Sequence, residues 1–353
     1  MKNSIPQKKY KNHLFGLIGL ILFGLIPTFN HAQDYRFINA YMDDFGKNEM
    51  FVKKSLMDYS ISIVETQLAS RSQSTAGKII EKLESINVNL RINNKGFENN
   101  TLLRDSFIKM NQKTIESLLN GSLILNDYEY QSTLTLDEIG INLSQKESDQ
   151  ANYFEAIKNY ESSKKAFGTQ YNINFKSPVG KNVLEYNAHQ NMLFYKINVI
   201  DQKLTSVILA RDKKGFADCL NSIEIMHQAT IVKTTLYNNN FKDNSLNKAN
   251  IKYSHFINGQ KAKFANLFND YVDEYNVLQA LKNSKAPQTN ETVANYNKTV
   301  RSYNIKKNSF YEVYNAIQSA KKVLYNSWFV TNSTFLKNNG EFENIHDKYV
   351  VNQ

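Results

Sequence analysis

A chain of 353 residues, 41% of them hydrophobic, can bury one large core or two medium ones and is too apolar to stay disordered. Its formal charge of +10 is spread along the chain, without the clustered Lys/Arg and interleaved aromatics of a nucleic-acid surface, so nucleic acid is not an expected partner. The single cysteine, Cys219, excludes an internal disulfide, and 13 Gly with 4 Pro leave few points at which a helix must stop.

Residues 1–32 read as a secretory signal peptide. A basic stretch from Lys2 to Lys11 precedes the apolar run LFGLIGLILFGLI at 14–26, which Pro27 ends. That run is about 13 residues, roughly 20 Å as a helix, and falls short of a ~30 Å hydrocarbon core. Export with cleavage is therefore expected rather than a permanent anchor. The expected cut follows Ala32, although Asn30 fits poorly three positions before it. Losing Lys2, Lys8, Lys9 and Lys11 lowers the formal charge to about +6. No cysteine near the cut offers a lipid attachment point. No later stretch has 18 consecutive apolar residues, so the mature chain is expected to lack a transmembrane helix while allowing peripheral membrane contact.

The mature chain is expected to be all-α, as two tandem, duplicated antiparallel helical bundles of about four helices each. The first spans 34–178 and the second 179–330, with a C-terminal tail at 331–353. Predicted helices run 36–71, 75–92, 101–128 and 147–172, then 181–211, 214–237, 245–282 and 291–328. Capping residues are assigned to Asn100/Thr101, to Ser144 with Glu147, and to Asn244/Ser245. Only Ser132–Thr135 hints at a strand. The duplication rests on an offset of 143, at which residues 151–172 match 294–315 at eight of 22 positions. Asn126-Asp127-Tyr128 meets Asn269-Asp270-Tyr271 at the same offset. A third block, around Phe97 and Leu102, meets Phe241 and Leu246 at 144. The element type follows from spacing. Tyr153, Ile157, Tyr160, Lys164, Phe167 and Tyr171 recur every three or four residues. So do Tyr296, Val300, Tyr303, Lys307, Phe310 and Tyr314, and the stripe continues through Ile317, Lys321, Leu324 and Trp328.

Candidate chemistry is sparse. Cys219 lies among apolar residues and reads as core. Glu224-x-x-His227 puts both side chains on one helix face, a spacing that di-iron bundles use twice. The corresponding run Ile80-Glu81-Lys82-Leu83 lacks a histidine, and the pair Glu185/His189 also stands alone, so no metal site is assigned. His255 and His346 have no sequence partner. Asp127 and Asp270 read as caps or hydrogen-bonding groups. Lys164 and Lys307 are expected to pack their stems on the core and send their ammonium groups to water. The Tyr stripe reads as core, or less economically as a glycan or cofactor groove. Asn120-Gly121-Ser122 and Asn332-Ser333-Thr334 are glycosylation triplets of the kind an Asn-rich chain contains by chance. No hydrolase, nucleotide-binding or EF-hand motif is present, so no catalytic residue and no cofactor is assigned.

The leader, the run 151–171 and the run Asn187-Ala188-His189-Gln190-Asn191-Met192-Leu193-Phe194-Tyr195 together resemble a family of uncharacterised helical surface proteins of diderm bacteria. The resemblance covers most of the mature chain. It implies an envelope or surface location and carries no functional residues. The expected function is that of an exported cell-envelope or surface protein, periplasmic, at the outer-membrane surface or secreted. Its role would be structural or binding through helical faces, toward an unknown envelope protein or glycan, and not that of an enzyme. The alternative is a periplasmic small-molecule or metal-binding helical module.

Overall fold

The computed structural model describes residues 35–66, 69–120, 125, 127–176, 182–237, 242–284, 287–340 and 348–352. The leader, its cleavage site and His346 lie outside them. Ten helices and one two-stranded sheet account for nearly all of these residues, so the chain is all-α as the periodicity predicts. In order they are α1 (Ile38–Thr66), α2 (Ala69–Asn93), α3 (Leu102–Leu119), α4 (Tyr128–Thr133), α5 (Leu136–Gln170) and β1 (Ile173–Lys176). Then follow α6 (Val183–Ala210), α7 (Lys213–Tyr237), α8 (Ser245–Gly259), α9 (Lys261–Asn283), α10 (Asn290–Asn339) and β2 (Lys348–Val351). No helix among the described residues is long and apolar enough to cross a membrane.

Each long helix buries one stripe. In α1 the buried positions Tyr41, Phe45, Glu49, Val52, Leu56 and Tyr59 follow the same three-and-four spacing as the stripe in α5. A first core gathers α1, α2, α3, the C-terminal half of α5 and the sheet, around Phe45, Leu83, Phe107 and Phe167. A second gathers α6 to α10, around Tyr195, Phe216, Phe268 and Phe310, and takes Ile139 and Leu143 from the start of α5. A small third cluster, with Met57, Tyr186, Leu246 and Phe335, ties α1 to α6, α8 and α10. α5 therefore belongs to both cores. The starts of α6, α7 and α8 follow those of α1, α2 and α3 by about 144 residues each. Beyond that point the halves differ: α9 packs on α10, whereas the short α4 packs on α6.

Several predicted boundaries need correction. Helix α3 stops at Leu119, with Asn120 as its C-cap, rather than running to 128. Helix α5 begins at Leu136, not at 147. Its capping box is Thr135 with Glu138, and Ser144 and Glu147 lie inside the helix. The earlier box wins because Ile139 and Leu143 extend the buried stripe. Ser132–Thr135 is no strand: Ser132 and Thr133 end α4. The predicted helix 245–282 breaks at Gln260 into α8 and α9. At α3 and α8 the residues just before the helix act as caps from one place upstream. Asn100 Oδ1 accepts from the Leu102 amide at 3.0 Å, and Asp243 Oδ1 accepts from the Ser245 amide at 2.9 Å.

The two copies of the matched stripe end differently. Asn172 takes a left-handed turn at φ 54° and sends the chain into β1, which pairs antiparallel with β2. Gly168 permits the return, because a Cβ there would lie 2.6 Å from the Phe175 ring. At the matching positions the second copy has Tyr311 and Asn315 within α10, which runs on for 50 residues, about 75 Å. The tail thus extends α10 to Asn339 and supplies β2.

Glu147 links three helices: it accepts from Lys196 Nζ at 2.5 Å and Lys233 Nζ at 2.8 Å. Burial pushes its carboxyl up, but the two ammonium groups outweigh that and hold it below the ordinary 4.5. Lys196 is also pushed down, because its burial outweighs the bond to Glu147. A carboxyl lowered in the folded state stabilises the fold above its unfolded pKa and ceases to do so as pH falls through the folded value. Stability is expected to decline below about pH 4.5, and less steeply in Glu147→Gln. Urea midpoints from about pH 6 down to about pH 3 measure this, and parallel profiles for the two chains would refute it.

Candidate functional site

A partly open cavity of about 90 Å³ lies on the seam where α1, α5, α6 and α10 meet. From the first core come Leu56, Tyr59 and Ser60 of α1. Helix α5 contributes Gln150, Tyr153 and Phe154, and the segment at α4 adds Leu125 and Tyr128. Helix α6 presents Leu184, Asn187, Ala188, Asn191 and Phe194, and α10 closes the wall with Trp328 and Phe329. Spacing explains the layout. Leu56 and Tyr59, Asn187 and Asn191, and Gln150 with Phe154 sit one turn apart on their helices, so each helix turns one short face to the seam.

None of these side chains is charged. The polar ones on α6 belong to a buried amide ladder. Asn187 donates to Asn332 Oδ1, and Asn332 donates to Asn191 Oδ1 at 2.6 Å. One turn away, Asn250 donates to Gln190 Oε1 at 2.6 Å and accepts from Trp328 Nε1 at 2.9 Å. That bond fixes the indole, which stacks on Phe194 at 3.7 Å between ring centres and an interplanar angle of 9°. The ladder draws Asn187, Gln190 and Asn191 from one stretch of α6. Tyr59 differs from the ladder: its hydroxyl is buried and has no hydrogen-bond partner among the described residues. An unsatisfied buried hydroxyl costs about 1–3 kcal/mol. Burial pushes the Tyr59 and Tyr153 hydroxyls up to about 12, so both are neutral O–H groups.

A second, larger pocket of about 390 Å³ lies between α1, α5 and the sheet. Lys164 and Glu49 form its base. Lys164 Nζ lies 2.8 and 2.9 Å from the two Glu49 carboxylate oxygens and 4.9 Å from the centre of the Phe175 ring, and the Tyr160 hydroxyl also donates to Glu49. Lys164 is only 4% exposed, so its ammonium does not reach water as the sequence predicts; it is held by a carboxylate from α1 within the same core. Lys307, its counterpart, is exposed and lies 6.0 Å from the Tyr303 ring centre.

The other singled-out residues scatter. Cys219 is fully buried in the second core, and burial pushes its thiol up to about 12. Glu224 accepts from Lys261 at 2.8 Å, while His227 Nδ1 lies 3.0 Å from Ser254 Oγ. The fold brings His227 within 5.7 Å of the His255 ring, a neighbour that spacing along the chain does not reveal. Burial, then the facing His255, pushes His227 down. Glu185 and His189 approach to 3.9 Å, with Lys158 also on Glu185. Among the described residues no group of three or more His, Cys, Asp or Glu could hold a metal ion. Asp127 accepts from the Tyr195 hydroxyl and pairs with Lys146, whereas Asp270 pairs with Lys306 at the surface. The two aspartates therefore share no environment. Asn332 is fully buried, which removes that glycosylation triplet. The Tyr stripe divides: Tyr160 is core, while Tyr153 lines the seam cavity.

Sequence reasoning missed the seam cavity and the Lys164–Glu49 pair. A signal existed for the second: each is the one charged residue on an otherwise apolar stripe, and their signs are opposite. Fold and seam define a class, an all-α protein of two packed helical cores with an uncharged, aromatic-walled cavity between them. Comparison with protein-family models, with curated proteins and with solved structures returned no match.

Proposed function

We propose that the chain is an exported cell-envelope or surface protein whose role is non-catalytic binding, exerted at the seam between its helical cores. The observation that carries the reading is the seam cavity: apolar and aromatic walls with a few polar groups, placed between two packing units, are how small-molecule sites are built. The uncharged lining supports binding over catalysis, because the described residues place no carboxylate, histidine or lysine within the cavity. The leader pattern at 1–32 supports export. The common offset of about 144 residues in helix starts, with the matched stripe at 151–172 and 294–315, supports descent of the two halves from one duplicated unit. The reading is tested by expressing the full chain in a diderm host, fractionating the cells and sequencing the protein's N-terminus. A mature chain starting near Gln33 in the envelope or medium is expected. Cytoplasmic protein with its leader intact would overturn the exported role.

A further inference from the structure

We infer that the seam cavity takes a neutral, single-ring aromatic molecule with one hydrogen-bonding group, its ring against the aromatic wall and its polar end at Tyr59 and Gln150. This rests on the seam being the binding site. Three observations narrow the ligand. The space of about 90 Å³ is on the scale of one small ring. Among the described residues the lining carries no charged side chain, so an anionic or cationic ligand would be buried without a counter-charge. The wall is aromatic, with Tyr128, Tyr153, Phe154, Phe194, Trp328 and Phe329, and ring contacts of this kind favour an aromatic guest over an aliphatic one.

The hydrogen-bonding group follows from the polar atoms that the protein leaves open. The Tyr59 residue is 3% exposed, its hydroxyl meets no partner among the described residues, and the cavity is the space it lines. Gln150, equally buried, offers an amide to the same wall. A guest with a hydroxyl or carbonyl satisfies Tyr59, whereas a plain hydrocarbon leaves it unsatisfied. A site built around a hydrogen bond rejects the analogue that lacks it.

The test uses the full chain with phenol, its isostere toluene, and benzoate, followed by calorimetry, thermal melts and the emission of Trp328. Trp328 is the chain's single tryptophan and forms part of the wall, so its emission reports the site alone. Phenol is expected to bind saturably, shift the emission and raise the melting temperature. Toluene should bind about fivefold to tenfold more weakly, and benzoate not measurably. Tyr59→Phe should narrow the gap between phenol and toluene, leaving Gln150 as phenol's remaining partner. Ala188→Leu, which fills the cavity from α6, should abolish binding while the helical melt persists; Leu56→Phe fills it from α1 if Ala188→Leu does not fold. Binding of toluene as tight as phenol, indifferent to Tyr59→Phe, would overturn the ligand class and leave the seam standing as a site. Tight binding of benzoate would do the same. No saturable response to any probe, or binding that survives both filling variants, would overturn the seam itself.

Discussion

Lys164→Met is expected to destabilise the protein by about 3–5 kcal/mol, the cost of leaving one partner of a buried ion pair alone. Both partners are inside: Glu49 is 5% exposed and Lys164 still less. The ammonium touches both carboxylate oxygens, and a ring face covers it on another side. Without it, the Glu49 carboxylate must stay buried with Tyr160 as a donor, or take up a proton. Glu49→Leu alone is expected to cost a similar amount, because it strands the ammonium. The double variant Glu49→Leu/Lys164→Met should return to within about 1 kcal/mol of the natural chain, since apolar side chains of similar volume replace a pair whose attraction mainly repays its own desolvation. Urea unfolding of the four chains closes the cycle and gives the coupling directly. A single-variant cost below about 1 kcal/mol would show that water reaches the pair.

The fragment 179–353 is expected to give no cooperative melt. The second core extends back across residue 179: Ile139 and Leu143 of α5 lie within it, and Leu134 and Leu136 pack against it. The same cut removes Glu147, which neutralises Lys196 and Lys233, and Asp127, which accepts from Tyr195. It also takes β1 from β2. Ile139 and Leu143, if deleted as buried groups, would each cost about 2–5 kcal/mol, a large part of the stability of a whole domain. A fragment starting at residue 125 keeps these groups and is expected to melt cooperatively. Far-UV circular dichroism on heating distinguishes the two, and a sharp, reversible transition in 179–353 would establish that the second half is self-sufficient.

Legibility differed between the levels of structure. Helices were readable because an apolar residue every three or four positions is a local property. The spans predicted at 214–237 and 181–211 fall within two residues of α7 and α6 for that reason. Where two local signals competed, as between Thr135/Glu138 and Ser144/Glu147, the wrong one could be chosen, because both make the same capping box. The break at Gln260 follows the turn pair Asn258-Gly259, a signal masked by the apolar spacing that continues across it from Tyr253 and Ile257 to Phe264 and Phe268. The amide ladder was visible as a run of letters at 187–195, but its polar residues could not be assigned to the interior until their partners on α8 and α10 were known.

By itself the sequence determined the helical class, the approximate positions of most helices and the stripes they bury, since each depends on residues within about one turn of one another. Only the tertiary structure decided which stripes face each other. Glu49 meets Lys164 across 115 residues of chain, and Asn187 meets Asn332 across 145. The seam cavity needs α1 and α10, near opposite ends of the chain, to pack on α5 and α6. Such contacts depend on how close-packed surfaces fit, not on a period along the chain, so no local pattern encodes them.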